Sequence, residues 1–419
     1  MKTIFIQIAS YRDPELAKTL QSCLNASACP ERLRFGICWQ HEEGDTEINL
    51  YSTDKRFKIL PIHWSKSRGV GWARYLACQL YNGEDFVLQI DSHSRFADNW
   101  DVEIIEEWER CNHPKAVLSG YPPGFDYDEY EEGKEIWHPY PQMSMAVKGF
   151  DGGFIPTFKT LPIPNGPINR PFRGSFVAGG FYFSVGSLYK EVPYSMDVYF
   201  TGEEILYSVR LFTYGYRVFY PQKSWIWHLY GRKNYKRHWD DFTKDPALKK
   251  SYDDMIAISN KTLGRLLKRN AKHNRFLGEV NTVADFENYS GVSFKHRVIH
   301  PDHSLGKEPP IEESSGWEDR VRPIKEIAID MNLNITDIPE RDDYTFWFFG
   351  FHDQADTEMF REDIVDEKSE TFKKHPVRFN KKVLLREVPY SYTIWPYCKE
   401  KGWLERLVFL FEDRFLAKC

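Results

Sequence analysis

Phe86-Val87-Leu88-Gln89-Ile90-Asp91-Ser92-His93 is an almost unbroken apolar run that ends in a carboxylate and an imidazole two residues apart. Its length and its β-branched and aromatic content predict a buried strand. Ligands in open α/β sheets collect at the carboxyl ends of strands, so Asp91 and His93 are expected on the sheet's working edge. Alternate residues beyond a strand end can point to one side, which lets a carboxylate and an imidazole share one divalent cation. The plainer reading of the same residues is a solvated turn after a core strand.

Upstream, Thr3 to Ala9 predicts a first strand, followed by the polar Ser10-Tyr11-Arg12-Asp13-Pro14. Asp13 is expected to cap a helix with Pro14 in its first turn and a buried stripe of Leu16, Leu20 and Leu24. Arg32 to Gln40 and Phe57 to Trp64 predict two more strands, and Ser65 to Arg74 leads into a helical segment through Leu76 and Leu80. This alternation predicts an α/β sheet whose site lies on the loops of one edge. Downstream, Asp98 to Asn112 reads as a helix and Ala116 to Tyr121 as a strand. From about Pro122 to Pro171 the periodicity lapses into Pro-, Gly- and Tyr-rich chain, too long for an ordinary connector and expected to form a lid or substrate loop. Pattern returns at Ser175 to Ser184 and in a helix opened by Glu203 and Glu204 after Gly202. Strand-like Arg217 to Tyr220 and Ser224 to His228 follow, and residues 246–288 look mainly helical.

At 419 residues the chain is expected to hold one large domain and a smaller one. Pro301, Pro309, Pro310, Ser314 and Ser315 mark the boundary. They predict a catalytic domain over 1–300, a linker over 301–320 and a β-rich accessory domain over 321–419. The β-rich reading rests on the aromatic and β-branched stretches Tyr344 to Phe351, Val377 to Val388 and Tyr390 to Tyr397. Acceptor or glycan contact is one expected role for it, and a structural or dimerising appendage is the other. The formal net charge of −5 argues against nucleic acid as a partner, because binders of nucleic acid usually carry a basic face. Seven cysteines, an odd number without zinc or redox spacing, predict a reducing cytoplasm. The opening apolar run is too short for a signal peptide, and no stretch reaches the length of a membrane span.

Several motifs occur in an order more specific than any one of them. Ile8-Ala9-Ser10-Tyr11-Arg12-Asp13, Arg68-Gly69 through Ala73-Arg74, Asp91-Ser92-His93, Ala178-Gly179-Gly180, Gly202-Glu203-Glu204, Trp227-His228 and Tyr289 to Phe294 together resemble the polypeptide N-acetylglucosaminyltransferases. Residues 1 to about 295 resemble, specifically, the cytoplasmic family that attaches α-linked N-acetylglucosamine to hydroxyproline, a relative of the polypeptide N-acetylgalactosaminyltransferases. The resemblance implies a glycosyltransferase-A (nucleotide-diphospho-sugar transferase, Rossmann-like) fold with a DxH motif. It further implies a UDP-N-acetylglucosamine donor, with UDP-N-acetylgalactosamine as the alternative, and a hydroxyl of a protein or glycan as acceptor. The implied reaction is retaining, by same-face attack assisted by the departing phosphate. Nothing in the resemblance reaches beyond about residue 300.

A diphosphate leaves with negative charge, which a divalent metal neutralises as a Lewis acid. Asp91 and His93 are expected to supply two ligands and His228 the third, with His238 its competitor. A mixed carboxylate and imidazole set suits Mn2+, with Mg2+ as the alternative, better than a closed zinc site. The resemblance places Ser10, Tyr11 and Arg12 at the uridine and Ser92 within the donor site. Arg68 and Arg74 flank the same crevice as rigid forks for phosphate, Arg68 being preferred because it precedes the helix. Gly179 and Gly180 are expected to allow close backbone approach to the sugar. Glu203, then Glu204, is expected to fix a sugar hydroxyl, although acidic residues also suit a helix start for local reasons. Two other functions fit these residues: a non-catalytic protein that binds glycan or nucleotide sugar, and a hydrolase that releases free sugar from the donor.

Overall fold

The computed structural model describes the chain apart from residues 140–142, 152–154, 164–168, 233–234, 268–275, 313, 315, 322–324, 334–337, 340, 357, 366–376, 386 and 417–419. It divides into two compact units, Met1–Lys295 with Ile299–Trp317, and His296–Val298 with Glu318–Cys419. Residues Ile299–Trp317, most of the stretch expected as a linker, thus group with the first unit.

The first unit is built on an eight-stranded mixed sheet. Its order is Phe172–Gly174, Arg217–Tyr220, Ala116–Ser119, Phe181–Val185, Phe86–Asp91, Ile4–Tyr11, Leu33–His41 and Phe57–His63. Four neighbouring strands, from Phe86–Asp91 to Phe57–His63, are parallel, and Phe181–Val185 runs antiparallel between Phe86–Asp91 and Ala116–Ser119. Phe86 to Ile90 are all buried, as a central strand covered on both faces requires. Ile4, Ile6, Ile8, Phe35, Leu88 and Ile90 belong to the main core cluster.

The first helix, Leu16–Asn25, buries Leu16, Thr19, Leu20 and Cys23 against that core. Val70–Cys78 and Trp100–Arg110 are the next two helices, and Glu203–Thr213 opens at Gly202, whose left-handed φ of +88° turns the chain into it. Register fixes where the loops meet. Ala9 pairs with Asp91, and Ile90 with Phe181, so the exits of two parallel strands and the entry of an antiparallel one share one edge. Beyond that edge, Ser94–Phe96 pairs antiparallel with Ile226–His228, which sets His228 opposite Ser94.

The stretch read as an aperiodic lid from about Pro122 to Pro171 carries two antiparallel pairs in its described residues. Phe125–Tyr127 pairs with Glu135–Trp137, and Met143–Asp151 with Ile155–Pro162. The second pair has a register shift at Thr157/Phe158, and such a bulge breaks the two-residue alternation by which a strand is recognised. The second unit is β-rich. It has an antiparallel pair, Lys325–Leu333 with Val377–Leu385, and a five-stranded sheet centred on Tyr344–His352 and Ser391–Cys398. Trp347, Phe349, Phe351, Phe379 and Ile394 lie in its own core.

Candidate active site

A cavity of about 560 Å³ opens at the shared strand edge, lined by Asp91, His93, Gly180, Glu204, His228 and Arg232 among others. Asp91 ends its strand, His93 follows two residues later, and the short Ile226–His228 strand returns His228 beside them. One ligand atom from each lies within 4.8 Å of the others. His93 Nε2 faces His228 Nε2 at 2.9 Å, and Asp91 Oδ2 lies 3.2 Å from His228 Nε2 and 3.9 Å from His93 Nε2.

The electrostatics suit a cation here. Burial pushes the Asp91 carboxyl up, but the hydrogen bond with His228 and the charges of Arg74 and His93 outweigh it and hold Asp91 far below the usual range. Burial lowers His228 to about 4, against the pull of Asp91, so its imidazole is neutral near pH 7. An anionic oxygen and two imidazole nitrogens converging at this spacing fit a hard or borderline divalent ion such as Mn2+ or Mg2+. His238 lines the same cavity but lies outside this cluster: its Nδ1 is 2.8 Å from Tyr199 Oη, and its ring stacks on Phe242.

Asp13 joins this centre from the loop after the first strand. Its Oδ2 is 2.7 Å from both Ser92 Oγ and His93 Nδ1, and its Oδ1 accepts the backbone N–H of Glu15. Burial raises the Asp13 carboxyl, and His93, Ser92 and that N–H more than reverse the effect. The helix it precedes has Glu15 at its cap position, with no side-chain cap bond. Asp13 thus serves the start of this helix through Oδ1 and the centre through Oδ2.

Arg74 is buried in the helix behind the site, where Nη2 donates to Asp91 Oδ1 at 2.7 Å and Nη1 pairs with Glu203 Oε1. A Cβ on Gly179 would lie 2.8 Å from Arg74 Nη1 and 2.9 Å from Glu203 Oε1, and one on Gly180 would lie 3.1 Å from Asp91 Oδ2. The two glycines thus leave room for the ion pair and the metal carboxylate. Glu204 accepts from the Gly179 N–H at 2.6 Å and from Tyr121 Oη at 2.9 Å, and burial raises its carboxyl despite those bonds. Both glutamates line the cavity: Glu203 pairs there with Arg74, and the oxygens of Glu204, each holding one bond, can accept once more.

The remaining expected residues divide between cavity and scaffold. Tyr11 lines the cavity with its hydroxyl on Asp241 Oδ2 at 2.9 Å, and Ser92 lines it too. Arg12 packs over Trp64 and pairs with Asp241 and Glu42, and Ser10 is buried with its carbonyl accepting from Gln40. Arg68 is exposed and does not line the cavity, so of the two arginines only Arg74 reaches the site. Cavity residues not anticipated there include Asp13, Tyr121, Tyr230, Arg232, Lys236 and Arg237. The Tyr230 ring lies tilted against that of His228, with centroids 4.2 Å apart. The basic residues Arg232, Lys236 and Arg237, close after His228 in the chain, were the available signal.

A family model described as Glycosyltransferase (GlcNAc) matches residues 3–55 and 48–296. The chain belongs to this glycosyltransferase family. Every residue of the Asp91, His93 and His228 cluster lies inside the matched span. The mixed α/β architecture agrees with the α/β fold expected, with further β-rich regions. Among solved structures, GalNAc-T7 with UDP, GalNAc and Mn2+ is 12% identical, over 98% of this chain and 72% of that one, at a TM-score of 0.48. TarS 1-349 of S. aureus in complex with UDP-GlcNAc is 15% identical, over 76% and 75% of the two chains, at 0.39. Both overlays are loose, and family membership rests on the sequence match. No curated protein matches the chain. Among the described residues of this glycosyltransferase no helix is long and apolar enough to cross a membrane.

Proposed function

We propose that the chain is a metal-dependent, retaining glycosyltransferase that moves N-acetylglucosamine from UDP-N-acetylglucosamine to a hydroxyl of a protein or glycan. Convergence of Asp91, His93 and His228 on one point of the cavity carries this reading. A divalent ion held there, Mn2+ or Mg2+, supplies Lewis-acid neutralisation of the departing diphosphate. Arg232, Lys236 and Arg237, on the segment after His228, add positive charge along the cavity for the same phosphates. Tyr11 lines the cavity and is assigned to the uridine on the motif resemblance, and Glu204, a desolvated carboxylate on the same wall, is assigned to the sugar. Same-face transfer needs no protein nucleophile, in keeping with Glu203 being tied to Arg74. We further propose a protein hydroxyproline as the acceptor class and the cytoplasm as the compartment. The motif resemblance supports the first, and the six free described cysteines agree with the second.

The test combines binding and product analysis. UDP affinity should fall at least tenfold on chelation and in Asp91→Ala, and mass spectrometry with a panel of UDP-sugars and acceptors should find transferred N-acetylhexosamine. Equal UDP affinity after chelation in both proteins would overturn the metal assignment. Free sugar released without transfer to any acceptor would make the chain a hydrolase, and binding without turnover a lectin-like protein.

A further inference from the structure

The two histidines of the candidate metal centre are not held alike. His228 Nδ1 is buried and has no hydrogen-bond partner among the described residues, whereas His93 Nδ1 lies 2.7 Å from Asp13 Oδ2. Both groups in the second contact are buried, and Asp13 is in turn fixed by Ser92 Oγ and the Glu15 N–H. We propose that Asp13 is the positioning residue of this metal centre, acting through His93. The inference rests on the metal reading of Asp91, His93 and His228.

The reasoning is one of donors and acceptors. A carboxylate has only lone pairs to offer, so a 2.7 Å contact with Nδ1 requires the proton on Nδ1. In a neutral imidazole the other nitrogen then carries the free lone pair. That nitrogen, Nε2, is the one aimed at His228 Nε2 and Asp91. Arg232 Nη1 also approaches His93 Nδ1, at 3.2 Å, and Asp13 Oδ2, at 3.9 Å. An unprotonated Nδ1 would accept from Arg232 but would set two acceptors against each other at the shorter Asp13 contact. The chain thus selects the ligating tautomer and ring angle before a metal arrives. Such outer partners orient metal-bound histidines, and losing one typically weakens metal binding about 10- to 100-fold.

The connectivity explains why Asp13 can do this. Ala9 and Asp91 are paired on adjacent parallel strands, so the two loops leave the sheet side by side. Glu15, two residues on, pairs with Arg95, two residues beyond His93. Two acidic residues of one loop thereby grip the other on either side of the histidine backbone.

The test uses the full chain with Mn2+, followed by loss of the free-ion electron paramagnetic resonance signal, with and without UDP. Asp13→Asn should bind Mn2+ about 10- to 100-fold more weakly than wild type. In a His93→Gln background the same substitution should change Mn2+ affinity less than twofold, because Asp13 then has no imidazole to orient. A merely structural aspartate would give the same loss in both backgrounds, which overturns the proposal. Asp13→Asn within twofold of wild type, while Asp91→Ala abolishes uptake, also overturns it and leaves the metal reading intact. No uptake by wild type, even with UDP, removes the metal reading and this proposal together. The unsubstituted protein offers a readout that needs no variant: 15N spectra of its histidines without metal should show His93 as the Nδ1–H tautomer, and an Nε2–H signal would overturn the assignment.

Discussion

At the residue scale, the most consequential contact is Arg74 between two carboxylates. Arg74, buried, reaches Asp91 on one side and Glu203 on the other. Removing one member of such a buried set leaves uncompensated charge, at about 3–5 kcal/mol. Arg74→Met should therefore destabilise the protein by about that much in urea unfolding. Arg74→Met with Glu203→Gln should recover part of the loss, since contacting residues are not additive. Equal loss in single and double variants would mean that the guanidinium matters through packing alone. The acidic pair after Gly202 then separates by role. Glu204→Gln should lower transfer at least tenfold while UDP affinity stays within threefold, because a lost charge-assisted bond to a hydroxyl is worth about 1.5–3 kcal/mol. Unchanged transfer in Glu204→Gln would return the sugar contact to Glu203. Sequence reasoning found both glutamates and ranked Glu203 first; the reverse order depends on Arg74, about 130 residues away in the chain, which local pattern does not reveal.

At the scale of elements, what was legible followed from local pattern. The run Phe86–Asp91 is a strand because its residues are apolar without interruption, and its polar end marks the sheet edge. Asp13 was read only in part for the same reason: Asp13-Pro14 before a leucine stripe is a good local helix start, in keeping with its Oδ1 bond to the Glu15 N–H, and only the parallel register beside Asp91 reveals its other partners. His238 shows how alike two histidines look in sequence. It sits in the short helix His238–Lys244, and burial lowers its imidazole to about 4 despite the Ser67 backbone and Asp241. An unfolded histidine titrates near 6.5, so between pH 6.5 and 4 the unfolded chain binds the extra proton. The neutral folded imidazole contributes its full stability above pH 6.5, and that contribution drains away as pH falls through this window. Between pH 7.5 and 4.5 wild type should lose about 2–3 kcal/mol more than His238→Gln in chemical denaturation. Parallel pH curves for the two proteins would show that His238 does not titrate in this way.

For the whole molecule, the aromatic and β-branched segments after residue 320 announced strands but no role, since strand propensity says what a surface packs like and nothing about what it binds. The two units have separate cores: Ile6, Phe35, Leu88 and Phe183 belong to one cluster, and Trp347, Phe349, Phe379 and Ile394 to another. Every residue assigned to metal, donor or sugar lies in the first unit, as does the span matched by the family but for its last residue. The place to cut is after Trp317 rather than earlier in the proline-rich stretch. Trp317 is fully buried and its ring meets His300, and Glu308 accepts from Arg170 through both carboxylate oxygens, so an earlier cut would remove contacts made within the first unit. A chain of residues 1–317 should bind UDP in the presence of Mn2+ within about threefold of the full chain, which corresponds to less than 1 kcal/mol. It should hydrolyse donor slowly and transfer poorly to a natural acceptor if the second unit contributes to acceptor binding. Unimpaired transfer would make the second unit an appendage to the reaction. An insoluble 1–317 chain, set against a soluble full-length protein, would show that the first unit depends on residues beyond Trp317 for its fold.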